Sequence, residues 1–143
     1  GQTCALPILE NQASDFSNVK FLPLQPFEKL NQLLNIADIH VLPQLADAAD
    51  LVMPSKLTGM LASGRPVIAC AEEGTQIAEA IAGCGIAVMP ENSDDLSKAI
   101  LQLSDDAEKR KEMAAKAREI AVENWEKENV LENFQRELQA FVN

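Results

Sequence analysis

The sequence predicts an α/β domain built on a parallel β-sheet and followed by a helical tail. Short apolar segments bounded by turn residues alternate with segments of helical periodicity, the order of βαβ units. From about residue 93 onward, three helical segments follow one another without a strand between them. A chain of 143 residues is one domain in length, and a domain near that size buries roughly 68–70% of its unfolded surface.

Strands are predicted where apolar, often β-branched residues lie between turn residues, at Val19–Leu24, Ile39–Leu42, Pro66–Cys70 and Gly85–Met89. Helices are predicted where apolar residues recur at helical spacing, at Phe27–Ile36, Pro54–Gly64, Thr75–Ala82, Ser93–Leu103, Asp106–Glu123 and Glu126–Val142. Helices that connect parallel strands cover both faces of the sheet.

Two of these helices carry further expectations. In the Pro54–Gly64 helix we expect Ser55 to be the N-cap and Gly64 to form the C-terminal turn. The last helix has an apolar face that we expect to be buried, either against this domain or against a further N-terminal domain; the face consists of Val130, Phe134, Leu138 and Phe141.

Composition excludes several classes of function. Acidic residues outnumber basic ones 22 to 12, a formal charge of −10, which disfavours a general nucleic-acid or anionic-membrane surface. No apolar run approaches the roughly 20 residues of a membrane-spanning helix. Cys4, Cys70 and Cys84 lack metal-ligand spacing, so we expect Cys70 and Cys84 to be core thiols in a reducing cytoplasm.

The first residues need a separate interpretation. Residues 2–8 read QTCALPI, which is also one translated frame of a common sequencing adapter. We therefore interpret residues 1–8 as non-native chain at the broken end of a gene fragment. The alternative is a native apolar strand. The predicted organisation is a non-native or disordered leader at 1–9, a Rossmann-like domain at 10–125 and a C-terminal helix at 126–143.

The segment from Leu42 to Cys70 predicts a ligand site. Ligands of open parallel sheets bind outside the carboxyl ends of the strands, where Pro43 and Gln44 follow a strand. A helix opening at Ser55 presents free backbone N–H groups, and Lys56 adds a positive charge, so a phosphate is one expected ligand. The alternative is an ordinary helix start with a solvated lysine.

Other polar residues have structural interpretations. We expect His40 to be packed rather than catalytic, because it lies in the apolar run IHVLP. Gly74 and Thr75 predict a tight turn and an N-cap, in preference to a sugar contact. Arg65 follows a helix C-terminus, where its charge suits the helix dipole. We expect Trp125 to pack before the last helix.

Four segments together carry a family resemblance. The order is VKFLPLQPFEKLNQLLNIADIHVLPQ, then ADLVMPSKLTGMLASGRPVIA, EGTQIAEAI and GCGIAVMPENSDDLSKAI. It resembles the donor-binding C-terminal domain of retaining, GT-B-fold family 4 glycosyltransferases, closest to the branch of colanic acid fucosyltransferase-like enzymes. The resemblance covers about residues 18–142.

The resemblance implies a donor site at known positions of this chain. The strand end at Pro43 and Gln44 would lie beside the nucleotide base, and the helix start would lie near the diphosphate, with Ser55, Lys56 and Leu57. Thr58 could contribute a hydroxyl. The loop before that helix would approach the sugar and diphosphate, with residues Asp47, Ala48, Ala49, Asp50, Leu51 and Val52.

Two departures from the family pattern stand out. Many members have two glutamates eight residues apart, and the corresponding positions hold Leu51 and Gly59. Ribose recognition by a carboxylate is therefore in doubt, with Asp50 as the nearest substitute. The glycine-rich first strand and loop, with its basic residues, has no counterpart before residue 10. We expect the sheet to lack that strand or to be patched by Cys4–Leu9.

The implied function is transfer of a sugar from a nucleoside-diphosphate-sugar to an acceptor sugar or lipid-linked sugar, in polysaccharide or glycolipid biosynthesis. The resemblance implies no metal or other cofactor. It also implies a cytoplasmic protein, peripheral at the inner membrane through an N-terminal domain. We expect the 143-residue chain to be inactive by itself. The alternatives are a nucleotide-sugar epimerase of the same fold and a non-catalytic α/β binding module.

Overall fold

The computed structural model describes residues 5–45 and 54–142. The chain divides into two compact units, Gly1–Leu30 and Asn31–Asn143. We describe each unit by itself. The predicted boundaries at residues 9 and 125 remain predictions.

The first unit contains a helix and an irregular segment. Helix α1 spans Ala5–Gln12, and a 3₁₀ turn spans Phe27–Lys29. Its described side chains include exposed apolar ones, such as Phe16 and Leu24. Because residues 5–9 lie in α1, the expectation that they add a strand to the sheet is wrong.

The predicted strand at Val19–Leu24 is wrong. Residues 19–26 have no regular secondary structure. A strand exists only where its backbone pairs with another strand, and Pro23 offers no N–H for such pairing. The side chain of Gln25 instead donates to the Pro23 carbonyl at 2.8 Å.

The second unit is built on a parallel sheet, as predicted, and the sheet contains three of the four predicted strands. Its strands are β1 (His40–Leu42), β2 (Val67–Cys70) and β3 (Gly85–Val88), and their order in the sheet is β1-β2-β3. β2 is central and all four of its residues are buried, as a continuous apolar run in a parallel sheet requires. Among the described residues the sheet has no fourth strand, and β1 lies at one edge.

Six helices accompany the sheet in the described part of the chain. They are α2 (Leu30–Ile36), which begins at the unit boundary, α3 (Ser55–Ala62), α4 (Gln76–Ala80), α5 (Ser93–Asp105), α6 (Ala107–Trp125) and α7 (Lys127–Val142). Each of the predicted helices is present in the structure, with ends that differ from the prediction by a few residues. The expected Phe27–Ile36 helix begins instead as the 3₁₀ turn.

Alternate residues of β2 point to opposite faces of the sheet and enter two cores. Val67 and Ala69 pack with Leu57 and Leu61 of α3. Ile68 and Cys70 pack on the other face with residues of α5, including Leu103. Both faces of the sheet are thus covered, which confirms the predicted layer arrangement.

The last helix leaves the apolar side chains on its face exposed. α7 continues from α6 after a break at Glu126, and the Asn129 side chain donates to the Val122 carbonyl at 2.8 Å. Its apolar face is exposed: Phe134 is 59% and Phe141 89% accessible. Of the two expected partners for this face, the described domain does not cover it. Its packing on a further domain remains a prediction.

Candidate functional site

The carboxyl ends of the strands form one edge of the sheet, and a cavity opens there. It has a volume of about 360 Å³, within the range of roughly 300–1,000 Å³ typical of small-molecule sites. We call it the carboxyl-edge cavity. Its lining comes from the ends of β1 and β2 and from the start of α5, namely Pro43, Gln44, Leu45, Cys70, Glu91, Asn92, Ser93 and Leu96.

Two of the predicted donor-binding residues meet in this cavity. Pro43 and Gln44 both line it, at the end of β1 where the sequence placed a ligand. The Gln44 Oε1 atom is buried and has no hydrogen-bond partner among the described residues. A buried acceptor without a donor costs about 1–3 kcal/mol, so a ligand that donates a hydrogen bond to Gln44 would recover that free energy.

The start of α3 supplies two free backbone donors. α3 begins at Ser55, and Leu57 N–H donates to the Pro54 carbonyl at 2.9 Å. The N–H groups of Ser55 and Lys56 have no partner among the described residues, as is usual for the first turn of a helix. Both side chains are exposed. Backbone donors and an ammonium group at a helix N-terminus suit an anion.

The prediction that Ser55 is the N-cap is wrong. Pro54 occupies the N-cap position and makes no side-chain capping bond. Ser55 is the first helical residue, and its backbone carbonyl accepts a bond of 2.8 Å from the Thr58 hydroxyl. Serine is acceptable at either position, and the backbone dihedral angles of Pro54, φ −65° and ψ 124°, place the N-cap one residue earlier than expected.

The other residues of α3 lie elsewhere. The Leu57 side chain is fully buried in the core, so only its backbone is available near a ligand. Thr58 lines a second cavity of about 300 Å³ between α3 and α6, with Arg118 and Trp125. Neither cavity is lined by Ser55 or Lys56. Whether Thr58 contacts a donor remains a prediction.

Six predicted positions lie outside the described residues. They lie in the sequence between β1 and α3, and they are Asp47, Ala48, Ala49, Asp50, Leu51 and Val52. Their proposed contacts with the sugar and diphosphate therefore remain predictions.

The expectation that His40 is packed is confirmed. His40 is 8% accessible, and its Nε2 lies 3.0 Å from the Ser63 hydroxyl. That hydroxyl donates to the Met60 carbonyl at 2.6 Å, so His40 Nε2 carries the proton and donates to Ser63. Burial and the charge of Arg65 lower the pKa of His40 below 6.5.

The turn residues and thiols also follow prediction. Gly74 has φ +83°, and the Thr75 side chain caps α4 by accepting from Ala78 N–H. Cys70 and Cys84 are buried free thiols. Burial raises the pKa of Cys84 to about 11, so this thiol is protonated and unreactive near neutral pH.

Sequence reasoning missed Glu91, which lines the carboxyl-edge cavity. Glu91 has φ +60°, and it is the one non-glycine residue with a positive φ in the part of the chain that the structure describes. It occupies the third position of a turn closed by Asn92 N–H and the Met89 carbonyl, 3.3 Å apart. Pro90 holds the second position. Turns of this kind favour Pro-Gly at their second and third positions. The sequence has Pro90 followed by Glu91 there, and this departure was the signal that could have indicated Glu91.

Membrane and metal features were searched in the same described ranges. No helix there combines the length and apolar character needed to cross a bilayer. The described side chains also contain no group of three or more His, Cys, Asp or Glu residues that could hold a metal ion.

The fold and the cavity define a class of protein: an open parallel α/β domain with a ligand site at the carboxyl edge of its sheet. The chain belongs to the glycosyl transferases group 1, whose family model matches residues 9–120. This membership confirms the resemblance at the level of the family.

A protein and two solved structures that are similar to this chain are glycosyl transferases by name or match its fold. WcaI of Escherichia coli (strain K12), named as a glycosyl transferase of colanic acid biosynthesis, is 37% identical over 126 residues, which is 86% of this chain and 30% of WcaI. The crystal structure of Anabaena Alr3699/HepE in complex with UDP-glucose matches with a TM-score of 0.78 at 19% identity, covering 98% of this chain and 38% of HepE. The HepE complex with UDP matches with a TM-score of 0.72 at 18% identity, covering 96% of this chain and 36% of HepE. The chain thus spans about a third of the length of these relatives.

Proposed function

We propose that this chain is the donor-binding part of a GT-B-fold, family 4 glycosyltransferase. It binds a nucleoside-diphosphate-sugar at the carboxyl edge of its sheet, and the sugar passes to an acceptor in polysaccharide or glycolipid biosynthesis. The observation that carries the proposal is membership of the glycosyl transferases group 1. HepE, which shares the fold, is described in complex with UDP-glucose.

The diphosphate is the part of the donor that the start of α3 suits. Ser55 and Lys56 offer N–H groups in the first turn that have no partner among the described residues, and the Lys56 side chain is exposed beside them. No acidic residue lies in that turn, so a phosphate meets no like charge there. Amides, the helix dipole and the ammonium then stabilise the leaving diphosphate electrostatically. Catalysis in this proposal rests on positioning and charge stabilisation, with retention of the anomeric configuration and no metal or other cofactor.

The acceptor, a sugar or lipid-linked sugar, is bound in this proposal by a further N-terminal domain. Through that domain the enzyme is peripheral at the cytoplasmic side of the inner membrane. The 143-residue chain accordingly binds the donor without transferring its sugar. Measurable turnover of UDP-glucose by this chain would contradict that part of the proposal.

Lys56→Ala tests the diphosphate site. A hydrogen bond to a charged group contributes about 1.5–3 kcal/mol, so the affinity for both UDP and UDP-glucose should fall about 10- to 150-fold. The free energy of unfolding should not change, because Lys56 is exposed and forms no ion pair with the described residues. Isothermal titration calorimetry measures the affinities, and urea unfolding measures the stability.

The matched control is Lys111→Ala, which removes the same charge from an exposed position on α6. It should leave both affinities unchanged. Equal losses in the two variants would show that only net charge matters. Unchanged affinity in Lys56→Ala would show that the lysine is a solvated bystander at an ordinary helix start.

A further inference from the structure

Glu91 has a backbone conformation that is costly for a residue other than glycine. The other positive φ angles among the described residues belong to Gly64, Gly74 and Gly83, where the absence of a Cβ makes that conformation easy. Glu91 forms no ion pair or hydrogen bond with the described residues, so no contact compensates for the strain. Strained non-glycine residues concentrate at binding sites. Glu91 lines the carboxyl-edge cavity.

The turn around Glu91 fixes its position on the cavity. Pro90 presets the backbone before it, and Asn92 caps α5 after it, accepting from Asp95 N–H at 3.0 Å. The Asn92 amide also donates to an Asp95 carboxylate oxygen at 2.6 Å. Asn92 is therefore fully used in building the turn, while the Glu91 carboxylate remains available.

Two hydrogen-bond acceptors line the cavity, and the Ser93 hydroxyl there can either donate or accept. Gln44 contributes a buried Oε1 without a partner, and Glu91 contributes a carboxylate. Asp94 and Asp95 lie in the first turn of α5, so a phosphate would meet like charge at this helix start. The chemistry therefore favours an uncharged group that donates hydrogen bonds. A carboxylate has two oxygens that can accept from two neighbouring hydroxyls.

We propose that Glu91 binds a vicinal diol of the donor in the carboxyl-edge cavity, with Gln44 as a second acceptor. This inference rests on the proposed function. It assigns the diol to a carboxylate outside α3, because α3 has Gly59 at the position where many members of the family have a glutamate. The diol belongs either to the ribose of the nucleotide or to the transferred sugar. Both present the same chemistry to a carboxylate.

The test is calorimetric titration of the 143-residue chain with UDP, 2′-deoxy-UDP and UDP-glucose. The variants are Glu91→Gln, which keeps the size of the side chain, and Glu91→Gly, which removes it and suits the turn. Glu112→Gln is the control, because Glu112 is exposed on α6 and does not line the cavity. It should change none of the affinities.

We expect Glu91→Gly to increase the stability of the chain and to decrease its affinity for the ligand. Glu91→Gly should raise the midpoint temperature of unfolding, because glycine relieves the backbone strain, and yet it should weaken binding about tenfold or more. If the diol is the ribose, the unmodified chain prefers UDP over 2′-deoxy-UDP, and Glu91→Gln abolishes that preference. If the diol is in the transferred sugar, UDP binds Glu91→Gln normally, and only the affinity for UDP-glucose falls.

Two outcomes would overturn the inference, and they differ in what they imply. If UDP and UDP-glucose bind and all affinities in Glu91→Gln stay within about twofold, the diol assignment fails while the proposed function stands. If the unmodified chain binds none of the three probes, and GDP, ADP and CDP do not bind either, the proposed function and the diol assignment fail together.

Discussion

Gly85 lies where the sheet leaves no room for a side chain, and Gly85→Ala should be strongly destabilising. Gly85 opens β3 and pairs with Val67 of β2. A Cβ atom added to it would overlap the Val67 carbonyl oxygen, well inside the 3.0 Å that real Cβ atoms respect, and would lie 3.1 Å from Ile81 Cβ. The obstacle is backbone on one side and a buried side chain on the other, so neither can move aside alone.

The magnitude follows from the displacement that relieves this overlap. Normal contact requires roughly 1 Å more separation, and strands that move apart by that amount exceed the 2.7–3.2 Å range of good hydrogen bonds. Each lost ladder bond costs about 0.5–1.5 kcal/mol, and overpacking costs about 1–3 kcal/mol. We expect Gly85→Ala to lower the free energy of unfolding by about 2–4 kcal/mol.

Urea unfolding followed by circular dichroism measures the change, with Gly59→Ala as the matched control. Gly59 lies within α3, and its added Cβ would meet only the Leu34 Cδ1 atom at 3.4 Å, the far end of a flexible side chain. This control should gain about 0.5–1 kcal/mol from helix propensity. A loss under about 0.5 kcal/mol in Gly85→Ala, or equal effects in the two variants, would refute the reasoning.

Two further predictions concern protonation and helix capping. The pKa of His40 is lowered in the folded chain, so the unfolded chain binds a proton at this histidine more readily. Stability is therefore full above about pH 6.5 and falls as the pH drops below it. Urea midpoints measured against pH should show this fall in the unmodified chain and not in His40→Gln, and an equal dependence on pH in both would contradict the prediction. Asp106 Oδ1 accepts from Lys109 N–H at 2.8 Å at the start of α6, so thermal unfolding of Asp106→Ala should reveal a loss of about 0.5–2 kcal/mol. Ser55→Ala should lose less than about 0.5 kcal/mol, because Ser55 caps nothing, and a loss equal to that of Asp106→Ala would argue against the observed helix start.

The central strand was predictable because its own residues determine its burial. Val67–Cys70 is a continuous apolar run between Pro66 and a turn, and such a run suits a parallel sheet covered on both faces. Val19–Leu24 has a similar pattern, and it is not a strand. Strand formation depends on a pairing partner, which a segment's own pattern does not reveal, and Pro23 weakens the pairing further.

The start of α3 was predictable to within one residue. Pro54 and Ser55 both favour the first positions of a helix, and only the backbone dihedral angles decide which residue is the cap. The shift does not change which backbone N–H groups lack a partner among the described residues, namely those of Ser55 and Lys56. The stability role expected for Ser55 does change, since its hydroxyl has no backbone N–H to satisfy.

The carboxyl-edge cavity could not be predicted from one stretch of sequence, because its walls come from separate strands. The family resemblance directs attention to positions 51 and 59 for carboxylates, where Leu51 and Gly59 stand. The carboxylate on the cavity instead follows β3, at Glu91, while Gln44 follows β1. All three strands are parallel, so their carboxyl ends share one edge. The sheet order brings the turn that holds Glu91 onto the same cavity as Gln44, whose Oε1 has no partner among the described residues. The turn has glutamate where glycine is favoured, and only the sheet order shows that this glutamate lies at a candidate site.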